Sequence, residues 1–473
     1  MKNKFIRTVS FVLLSVLSPL CVSCGGAAKD NTPYSDKAPY SLSFDAIGGK
    51  DVMPISVFYS PFTPPYQKNA NYTADFTDEK YIKLFADAGI NVFSSAPEAY
   101  PEATPSILKV LTLAEKYNIG YFVKDSYLFQ MVWYDDETGG AIREVNDYRI
   151  KKSIDELSEY KSFIGFNLYD EPPFEAMEDI GRVNSAINRL GDGKYASYVN
   201  LLPNWDLKYN RGSEEISYER YIEEFMIKGN GKYFCFDHYV FEQYSYRRYF
   251  QNLDTVKKYC DAYEIPFWSF IQAGGQWNDL MVEMESEEYY PTESQLIWNV
   301  NTAVACGAKG IQYFLGIQPI YFAYAPNGTY DFKRNGMIGA DGSINEWYYY
   351  VRKANRQLLA CDDVIMNSVN RGVIASGNAV DELDGLNMLI KGGKFHELTG
   401  VKGDALIGCL EHNKKTALYV VNYSFENAQD VILQFDGTHG FNVVQRAEKT
   451  EISGKNLKVH LEAGEAVLVS VVS

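Results

Sequence analysis

The chain has 473 residues, enough for two domains, and its hydrophobic fraction of 46% is ordinary for a globular protein. Its formal net charge of −16 argues against nucleic acid as a partner, because that binding depends on clustered Lys and Arg. The same charge argues against direct attraction to an anionic membrane surface.

The N-terminus has the pattern of a signal peptide. An apolar run over 8–22, too short to span a bilayer comfortably, follows three positive residues, Lys2, Lys4 and Arg7. The next segment is rich in Gly, Ala, Asp, Ser and Pro. This composition predicts a flexible tether over 24–44.

The end of the apolar run resembles the lipobox of bacterial lipoproteins. It reads Cys21-Val-Ser-Cys24-Gly-Gly, with small residues before the Cys that is cleaved and lipidated. The resemblance implies a signal peptide over 1–23, a lipid anchor on Cys24 and a place in the cell envelope, periplasmic or surface-exposed. Without lipidation the protein would be secreted. No other contact with a membrane is expected.

Short apolar runs then alternate with helical patterns over 45–362. The runs are rich in Val, Ile, Phe and Tyr, as in strands buried on both faces, and lie at 52–59, 90–94, 120–124, 163–169, 195–202, 233–236, 266–271 and 310–315. Helical patterns lie at 77–89, from 104 onward, and at 148–161, 174–190, 213–228, 246–263, 291–306 and 344–360. Eight strands alternating with eight helices predict a (β/α)8 TIM barrel.

The fourth strand of this series ends in two adjacent acids. The stretch 163–173 reads Phe-Ile-Gly-Phe-Asn-Leu-Tyr and then stops at Asp170, Glu171 and two prolines, which cannot continue a central strand. Active sites of such barrels lie at the carboxyl ends of the strands. The structural alternative is that Asp170 caps the next helix and Glu171 lies in its first turn.

Polar and aromatic residues also follow the other predicted strands, as a sugar-binding cleft requires. They include Tyr59, Ser94, Lys124, Asp125, Asn204, Trp205, Asp237, His238, Tyr239, Gln272 and Gln318. Among the aromatic residues, the candidates for stacking on sugars are Tyr127, Trp205, Tyr239 and Trp277, although packing is the alternative for each. No Gly-rich phosphate loop follows a strand, which disfavours nucleotides and phosphates.

From about residue 363 the helical pattern gives way to short alternating strands. Examples are 417–422, 431–435, 457–461 and 466–472. They predict a C-terminal antiparallel β-sandwich over 363–473, packed against the barrel and without a catalytic cluster of its own.

The cysteines and histidines give no sign of a disulfide framework or a metal site. Beyond the N-terminal segment there are five Cys, far apart and without a CxxC pair, and the whole chain has five His. We therefore expect buried cysteines and no metal or organic cofactor.

The chain resembles the clan A glycoside hydrolases, of the beta-galactosidase-like and cellulase-like kind. The family's Asn-Glu-Pro on the fourth strand corresponds to Asp170-Glu171-Pro172. The stretch 341–351, leading to Asn355, is similar to the start of the last barrel helix in these enzymes, and 464–468 is similar to the closing strand of the C-terminal domain.

The resemblance implies that Glu171 is the general acid/base of glycosidic-bond hydrolysis. Desolvation and a neighbouring Asp170 charge would raise its pKa so that it meets the substrate protonated. Asp170 stands where the family has an Asn that hydrogen-bonds the sugar 2-hydroxyl. An ionised Asp only accepts hydrogen bonds, so this contact differs from that of the family.

The seventh strand departs from the family pattern, because it ends in Gln272 where the family places a Glu nucleophile. A carboxamide cannot form a glycosyl-enzyme ester as a carboxylate does. Three readings follow. In the first, Asp237 at the end of the sixth strand supplies the second carboxylate. In the second, Glu283 or Glu285 from the seventh loop supplies it. In the third, the protein binds glycans without cleaving them.

The sequence therefore predicts a glycoside hydrolase acting on a poly- or oligosaccharide, with Glu171 and Asp237 as catalytic residues. The predicted substrate-binding residues are Asp125, Asp170, Trp205, His238, Tyr239, Gln272 and Trp277. The alternative is a non-catalytic glycan-binding lipoprotein on the same scaffold.

Overall fold

The computed structural model describes residues 38–61, 74–94, 104–135, 137–204, 216–241, 246–275, 290–318, 335–390, 395–412 and 415–472. None of the helices in these ranges has the length and apolar character needed to cross a bilayer.

Eight parallel strands close into a barrel, which confirms the predicted TIM barrel. They are β1 (Ile55–Val57), β2 (Val92–Ser94), β3 (Gly120–Val123), β4 (Phe163–Asp170), β5 (Ala196–Leu201), β6 (Phe234–Phe236), β7 (Phe267–Gln272) and β8 (Gly310–Phe314). Each strand pairs with its neighbours in chain order, and β8 pairs with β1. All eight carboxyl ends therefore meet at one end of the barrel.

A helix follows each strand on the outside of the barrel. These helices are α1 (Glu79–Asp87), α2 (Thr104–Lys116), α3 (Asp147–Leu157), α4 (Met177–Leu190), α5 (Tyr218–Glu224), α6 (Tyr246–Tyr263), α7 (Glu293–Ala305) and α8 (Glu346–Leu359). A π-helical turn, Phe225–Gly229, continues α5. Between β3 and α3 lie a short helix, Ser126–Gln130, and a small hairpin of strands Tyr134–Asp135 and Gly140–Ala141.

The strand residues alternate between two apolar layers. One cluster fills the barrel interior with aromatic side chains, among them Phe122, Tyr198, Trp268 and Phe270. The other lies between the strands and the surrounding helices. Because each face of the strands meets apolar neighbours, the strands read as nearly continuous hydrophobic runs in the sequence.

Gly165 allows β4 to lie against β5. A Cβ added at Gly165 would be 1.7 Å from the carbonyl oxygen of Ala196, and the Gly165 φ of 148° is one that other residues rarely adopt. Only glycine therefore fits at this point of the strand that leads to Asp170 and Glu171.

Asn355 joins α8 to two other parts of the barrel. Its Oδ1 accepts a hydrogen bond from the Tyr313 hydroxyl at 2.7 Å, and its Nδ2 donates to the Ala88 carbonyl at 2.8 Å. The side chain is fully buried. Asn355 therefore links α8 to β8 and to the residue that follows α1.

The segment before β1 closes the amino end of the barrel, which differs from the predicted tether. The Tyr40 hydroxyl donates to Asp261, near the end of α6. Phe44 is buried and packs edge-on against Phe122 in the barrel interior, with ring centroids 5.7 Å apart. Apolar burial therefore orders residues 40–44, and any tether ends before Tyr40.

The C-terminal region contains an antiparallel sheet, as predicted. Its strands are β9 (Val369–Ser376), β10 (Leu398–Lys402), β11 (Ala405–His412), β12 (Lys415–Asn422), β13 (Gln429–Gln445), β14 (Glu448–Leu461) and β15 (Ala466–Val472). The long strand β13 pairs with β10 along its first part and with β15 along its last part. The sheet thereby folds over an apolar core of its own, as in a sandwich. Three short helices, Asp362–Met366, Ala379–Leu383 and Asn387–Ile390, were not predicted.

Buried hydrogen bonds connect this region to the barrel helices. Asn301 of α7 donates to the Gly464 carbonyl at 2.9 Å and accepts from the Tyr419 hydroxyl at 2.7 Å. Gln357 of α8 donates to the Val444 carbonyl at 3.0 Å. Tyr419 and Leu468 also belong to the apolar cluster that surrounds the barrel, so the two regions share one core.

Candidate active site

The carboxyl ends of β4, β5 and β6 bring polar side chains together at the barrel mouth. Asp170 ends β4, and its Oδ1 accepts a hydrogen bond from Asn200 Nδ2 of β5 at 3.1 Å. Asp237 follows β6 directly. Both carboxyl groups lie near the buried Tyr198, whose pKa is raised by burial first and by these acids in addition. The acids predicted at the ends of the fourth and sixth strands therefore share one site.

Glu171 and Asp237 form the centre of this site. Their carboxyl groups are close enough for a hydrogen bond, whereas Glu171 is exposed and Asp237 is only 5% exposed. Burial raises the pKa of Asp237 well above its ordinary value, and the carboxylates of Glu171 and Asp170 raise it further. Burial and the neighbouring carboxylates thus favour the protonated form of Asp237.

The backbone holds Glu171 clear of the following helix. Its φ is 53°, in the left-handed region, and its N–H donates to the Asn200 carbonyl at 2.9 Å. The carbonyl of Pro172 accepts from the Tyr221 hydroxyl at 2.8 Å. Because α4 begins only at Met177, the structural alternative, in which Glu171 lies in the first turn of a helix, does not apply. A non-glycine residue held in this strained region is typical of functional sites.

Three buried oxygen atoms at the strand ends have no hydrogen-bond partner within the described part of the chain. They are Ser94 Oγ, Asn200 Oδ1 and Asp237 Oδ1. Buried polar atoms are nearly always paired with protein, water or ligand. A ligand with several hydroxyl groups suits such a set, because each hydroxyl both donates and accepts.

Gln272 points into the same site from β7. Trp268 and Phe270 belong to the interior cluster, so Gln272 also faces inward by strand alternation. It is 1% exposed, and its Nε2 donates to the Gly274 carbonyl at 3.1 Å. Tyr239 is half-buried at the mouth, with its ring 5.6 Å from that of Phe314.

Two predicted substrate-binding residues have structural roles instead. His238 is 1% exposed and packs edge-on against Tyr249 of α6 at 5.3 Å. Burial lowers its pKa to about 3, although nearby Asn252 offsets part of that effect. Adjacent strand residues point to opposite sides, so His238 faces the helices because Asp237 faces the cleft.

Asp125 caps the short helix Ser126–Gln130. One of its oxygens accepts from the backbone N–H groups of Tyr127 and Leu128, at 2.9 and 3.2 Å. The other accepts from the Ser153 hydroxyl at 2.6 Å and pairs with Arg149 at 3.3 Å. With both oxygens engaged, Asp125 has a structural role in this conformation. Tyr127 lies beneath Arg143 and Arg149, at 4.7 and 5.4 Å, and does not line the cleft as a platform.

Other predicted residues lie outside the described ranges. These are Cys24, Trp205, Trp277, Glu283 and Glu285. Conversely, sequence reasoning missed Asn200 and Tyr221, which hold Asp170 and Pro172. Asn200 was detectable as an inward position of the fifth strand. Tyr221 had no signal beyond its place on a predicted helix.

The cysteines and acids of the described ranges form no metal site. Their five cysteines are all buried and unpaired with one another. No group of His, Cys, Asp and Glu in these ranges is arranged to hold a metal ion.

The fold is similar to that of known glycoside hydrolases. A beta-galactosidase from Bacillus circulans sp. alkalophilus is 9% identical, matches over 89% of this chain and 99% of its own, and has a TM-score of 0.58. A catalytic mutant of a GH42 beta-galactosidase from G. stearothermophilus is 8% identical over 91% and 100% of the two chains, with a TM-score of 0.56. At these identities the likeness concerns the fold. No protein-family model matches the sequence, and no curated protein matches it either.

Proposed function

We propose that the protein hydrolyses glycosidic bonds of a poly- or oligosaccharide, with Glu171 and Asp237 as the reacting carboxyl groups. The observation on which this rests is the contact between an exposed and a buried carboxyl at the barrel mouth. Such unequal surroundings separate the roles of acid and carboxylate in one pair. The glycosidase-like fold supports the same reaction class.

The proposed chemistry needs one proton on the pair, and it reverses the roles that the family resemblance implies, in which Glu171 is the general acid/base. Asp237, which burial favours in the protonated form, donates this proton to the glycosidic oxygen as the bond to the anomeric carbon breaks. The Glu171 carboxylate attacks that carbon and forms a glycosyl ester. Water then cleaves the ester and gives its proton back to Asp237, so that both groups return to their first state.

The short separation favours retention of configuration over inversion. An inverting pair stands roughly 6.5–9.5 Å apart to admit a water molecule, whereas a retaining pair stands about 5–5.5 Å apart. Carboxyl groups in hydrogen-bond contact are nearer to the second class. The Asp170–Asn200 pair is placed to bind a hydroxyl of the reacting sugar.

Glycan binding without hydrolysis is the second candidate, because β7 ends in Gln272 rather than in a carboxylate. In that case the polar mouth would hold a sugar while Glu171 and Asp237 serve only as hydrogen-bonding groups.

A glycan panel separates the two candidates. Wild type, Glu171→Gln and Asp237→Asn are incubated with polysaccharides, oligosaccharides and aryl glycosides, and both cleavage and binding are measured. Glu159→Gln, which changes an exposed carboxylate elsewhere, is the control. The proposal expects cleavage by wild type and the control, and losses of at least about 100-fold in the two site variants. Binding by all four proteins without any cleavage would support the second candidate.

We further propose a lipid anchor on Cys24 and a place in the cell envelope. The chain meets the barrel at its amino end, where Tyr40 bonds Asp261. An anchored molecule would therefore direct its mouth away from the membrane. Cys24→Ser should abolish labelling by a fatty acid and release the protein from the membrane fraction. Unchanged labelling would contradict the anchor.

A further inference from the structure

Tyr221 of α5 places its hydroxyl between the ends of two barrel strands. The side chain is fully buried. Its hydroxyl donates a hydrogen bond to the Pro172 carbonyl at 2.8 Å and accepts one from the Leu202 N–H at 3.4 Å. Pro172 lies two residues beyond the end of β4, and Leu202 directly follows β5. A single side chain of an outer helix therefore joins the two strand ends to each other.

The Tyr221 hydroxyl keeps its proton at neutral pH. Burial raises the pKa of Tyr221 well above its ordinary value, although the Leu202 N–H opposes this effect. The charges of Glu171 and Asp237 raise the pKa further. A protonated phenol both donates to Pro172 and accepts from Leu202, as its two contacts require.

Glu171 is held by hydrogen bonds on both sides. Its own N–H donates to the Asn200 carbonyl of β5 at 2.9 Å, and the next residue, Pro172, is held by Tyr221. Between these two bonds the φ of Glu171 is 53°. A non-glycine residue stays in this left-handed conformation only where surrounding contacts hold it there. The bond from Tyr221 is therefore one of the contacts on which the position of the Glu171 carboxylate depends.

Tyr218 offers a comparison within the same helix. It is also buried, and its ring is stacked on that of Tyr221, with centroids 6.4 Å apart and planes 19° from parallel. The Tyr218 hydroxyl, however, accepts a hydrogen bond from Asn252 of α6 at 3.2 Å. It connects two outer helices, whereas the Tyr221 hydroxyl connects a helix with the chain that carries Glu171.

We propose that Tyr221 is a positioning residue for hydrolysis, whose hydroxyl keeps Glu171 within hydrogen-bonding reach of Asp237. This rests on the proposed function and adds to it a residue that acts through the backbone beside Glu171. Without the hydroxyl, Glu171 relaxes from its left-handed conformation and its carboxylate moves away from Asp237. The nucleophile is then misplaced, and a displacement of about 1 Å can lower a rate about 100-fold. Asp237 also loses a neighbouring carboxylate that favours its protonated form.

Tyr221→Phe tests the positioning, because it removes the hydroxyl and keeps the buried ring. On a glycan that wild type cleaves, we expect kcat to fall about 10- to 100-fold and KM to stay within about twofold. The basic limb of the kcat/KM profile should move to lower pH, since Asp237 would lose its proton more readily. Tyr218→Phe should keep the wild-type profile. In Glu171→Gln, adding Tyr221→Phe should cost less than about a further twofold, because the group that it positions is already gone.

The titration of Asp237 gives a second readout, which needs no substrate. Carbon-13 NMR of aspartate-labelled protein, with Asp237→Asn to identify the signal, should show a lower pKa of Asp237 in Tyr221→Phe than in wild type or Tyr218→Phe. Melting curves of both Phe variants are measured alongside. An unchanged pKa of Asp237 in Tyr221→Phe would overturn the positioning role, whatever happens to kcat. If wild type cleaves no glycan, the proposed function fails, while the titration still decides whether Tyr221 holds the pair together.

Discussion

The buried carboxyl of Asp237 lies within hydrogen-bonding reach of the exposed carboxyl of Glu171, across the mouth of the barrel. The two groups come from strand ends far apart in the sequence and differ in their access to water. When such a pair carries one proton, the proton resides on the more buried carboxyl group. The reason is that ionising a buried carboxyl costs more free energy than ionising an exposed one. The second carboxylate that hydrolysis needs is therefore available without the seventh strand.

The roles within the pair can be separated by substrates that differ in their leaving groups. A dinitrophenolate leaves without protonation, so a proton donor is dispensable for it and a nucleophile is not. We expect Asp237→Asn to lose at least about 100-fold on the natural linkage but much less on the dinitrophenyl glycoside of the same sugar. Glu171→Gln should lose activity on both substrates. The reverse pattern in steady-state rates would make Glu171 the donor.

The stability of the protein should fall as pH rises, because of Asp237. The pKa of Asp237 is raised in the folded state. At pH values between its unfolded pKa of about 3.9 and its folded pKa, the native protein therefore binds more protons than the unfolded protein does. Stability is then lost as pH rises through that window. Asp237→Asn should be more stable than wild type at neutral pH by roughly 1–3 kcal/mol, and the difference should shrink towards pH 4. Melting temperatures across pH test this, and a constant difference would contradict it.

The barrel could be predicted from the sequence because a strand that is buried on both faces appears as a short, continuous hydrophobic run. All eight strands lie within three residues of their predicted bounds, and α6 has its predicted bounds, 246–263. The start of the C-terminal region was harder to predict. Its β9 alternates only partly in burial, and its three short helices are fixed by contacts with distant residues. One of these is the bond from Leu389 N–H to Asp254 at 2.8 Å.

The residues that directly follow a strand could be assigned to the barrel mouth from the sequence. Asp170, Glu171 and Asp237 were expected at the mouth, and the structure places them there. Asp237 and His238 were both assigned to the cleft, although neighbouring residues of a strand point to opposite sides, and His238 faces α6. The partners of Asp125 lie on α3, 24 and 28 positions further on, and no periodicity indicates them.

Replacing Asp125 should affect stability rather than substrate affinity. Asp125→Ala removes a helix cap and leaves Ser153 and Arg149 without their acceptor, which should lower the free energy of unfolding by about 1–3 kcal/mol. Asp125→Asn keeps the cap and should cost less. Chemical denaturation measures both, and KM should stay within about twofold of wild type. A raised KM in a variant of unchanged stability would instead assign Asp125 to the substrate.

Gly165 should tolerate no side chain. In Gly165→Ala the new Cβ would overlap the Ala196 carbonyl, and the backbone angle is unfavourable for alanine. Relief requires β4 to shift from β5, which should destabilise the protein by more than about 3 kcal/mol and displace Glu171. Gly140→Ala is a matched control, because a Cβ there meets nothing within 4 Å. Equal melting temperatures for the two variants would be incompatible with this account.

Gln357 should be a main determinant of how the C-terminal sheet docks on the barrel. Its side chain donates to the Val444 carbonyl at 3.0 Å and accepts from the Ala447 N–H at 2.8 Å. Gln357→Ala would leave the Ala447 N–H of the turn without this acceptor and remove one hydrogen bond to the Val444 carbonyl, and an unsatisfied group at such a contact costs about 1–3 kcal/mol. We expect a lower melting temperature and earlier proteolysis within the C-terminal region, with kcat unchanged.

The neighbouring surface of α8 provides the comparison for Gln357. Arg352 lies exposed on the same helix, and Arg352→Ala should leave both melting and proteolysis as in wild type, because substitutions at exposed sites away from such contacts change stability little. Gln357→Glu keeps the size of the side chain but removes the donor to Val444, so its effect should fall between the other two. A Gln357→Ala protein that melts like Arg352→Ala would show that the apolar cluster shared by Tyr419 and Leu468 holds the sheet in place without this side chain.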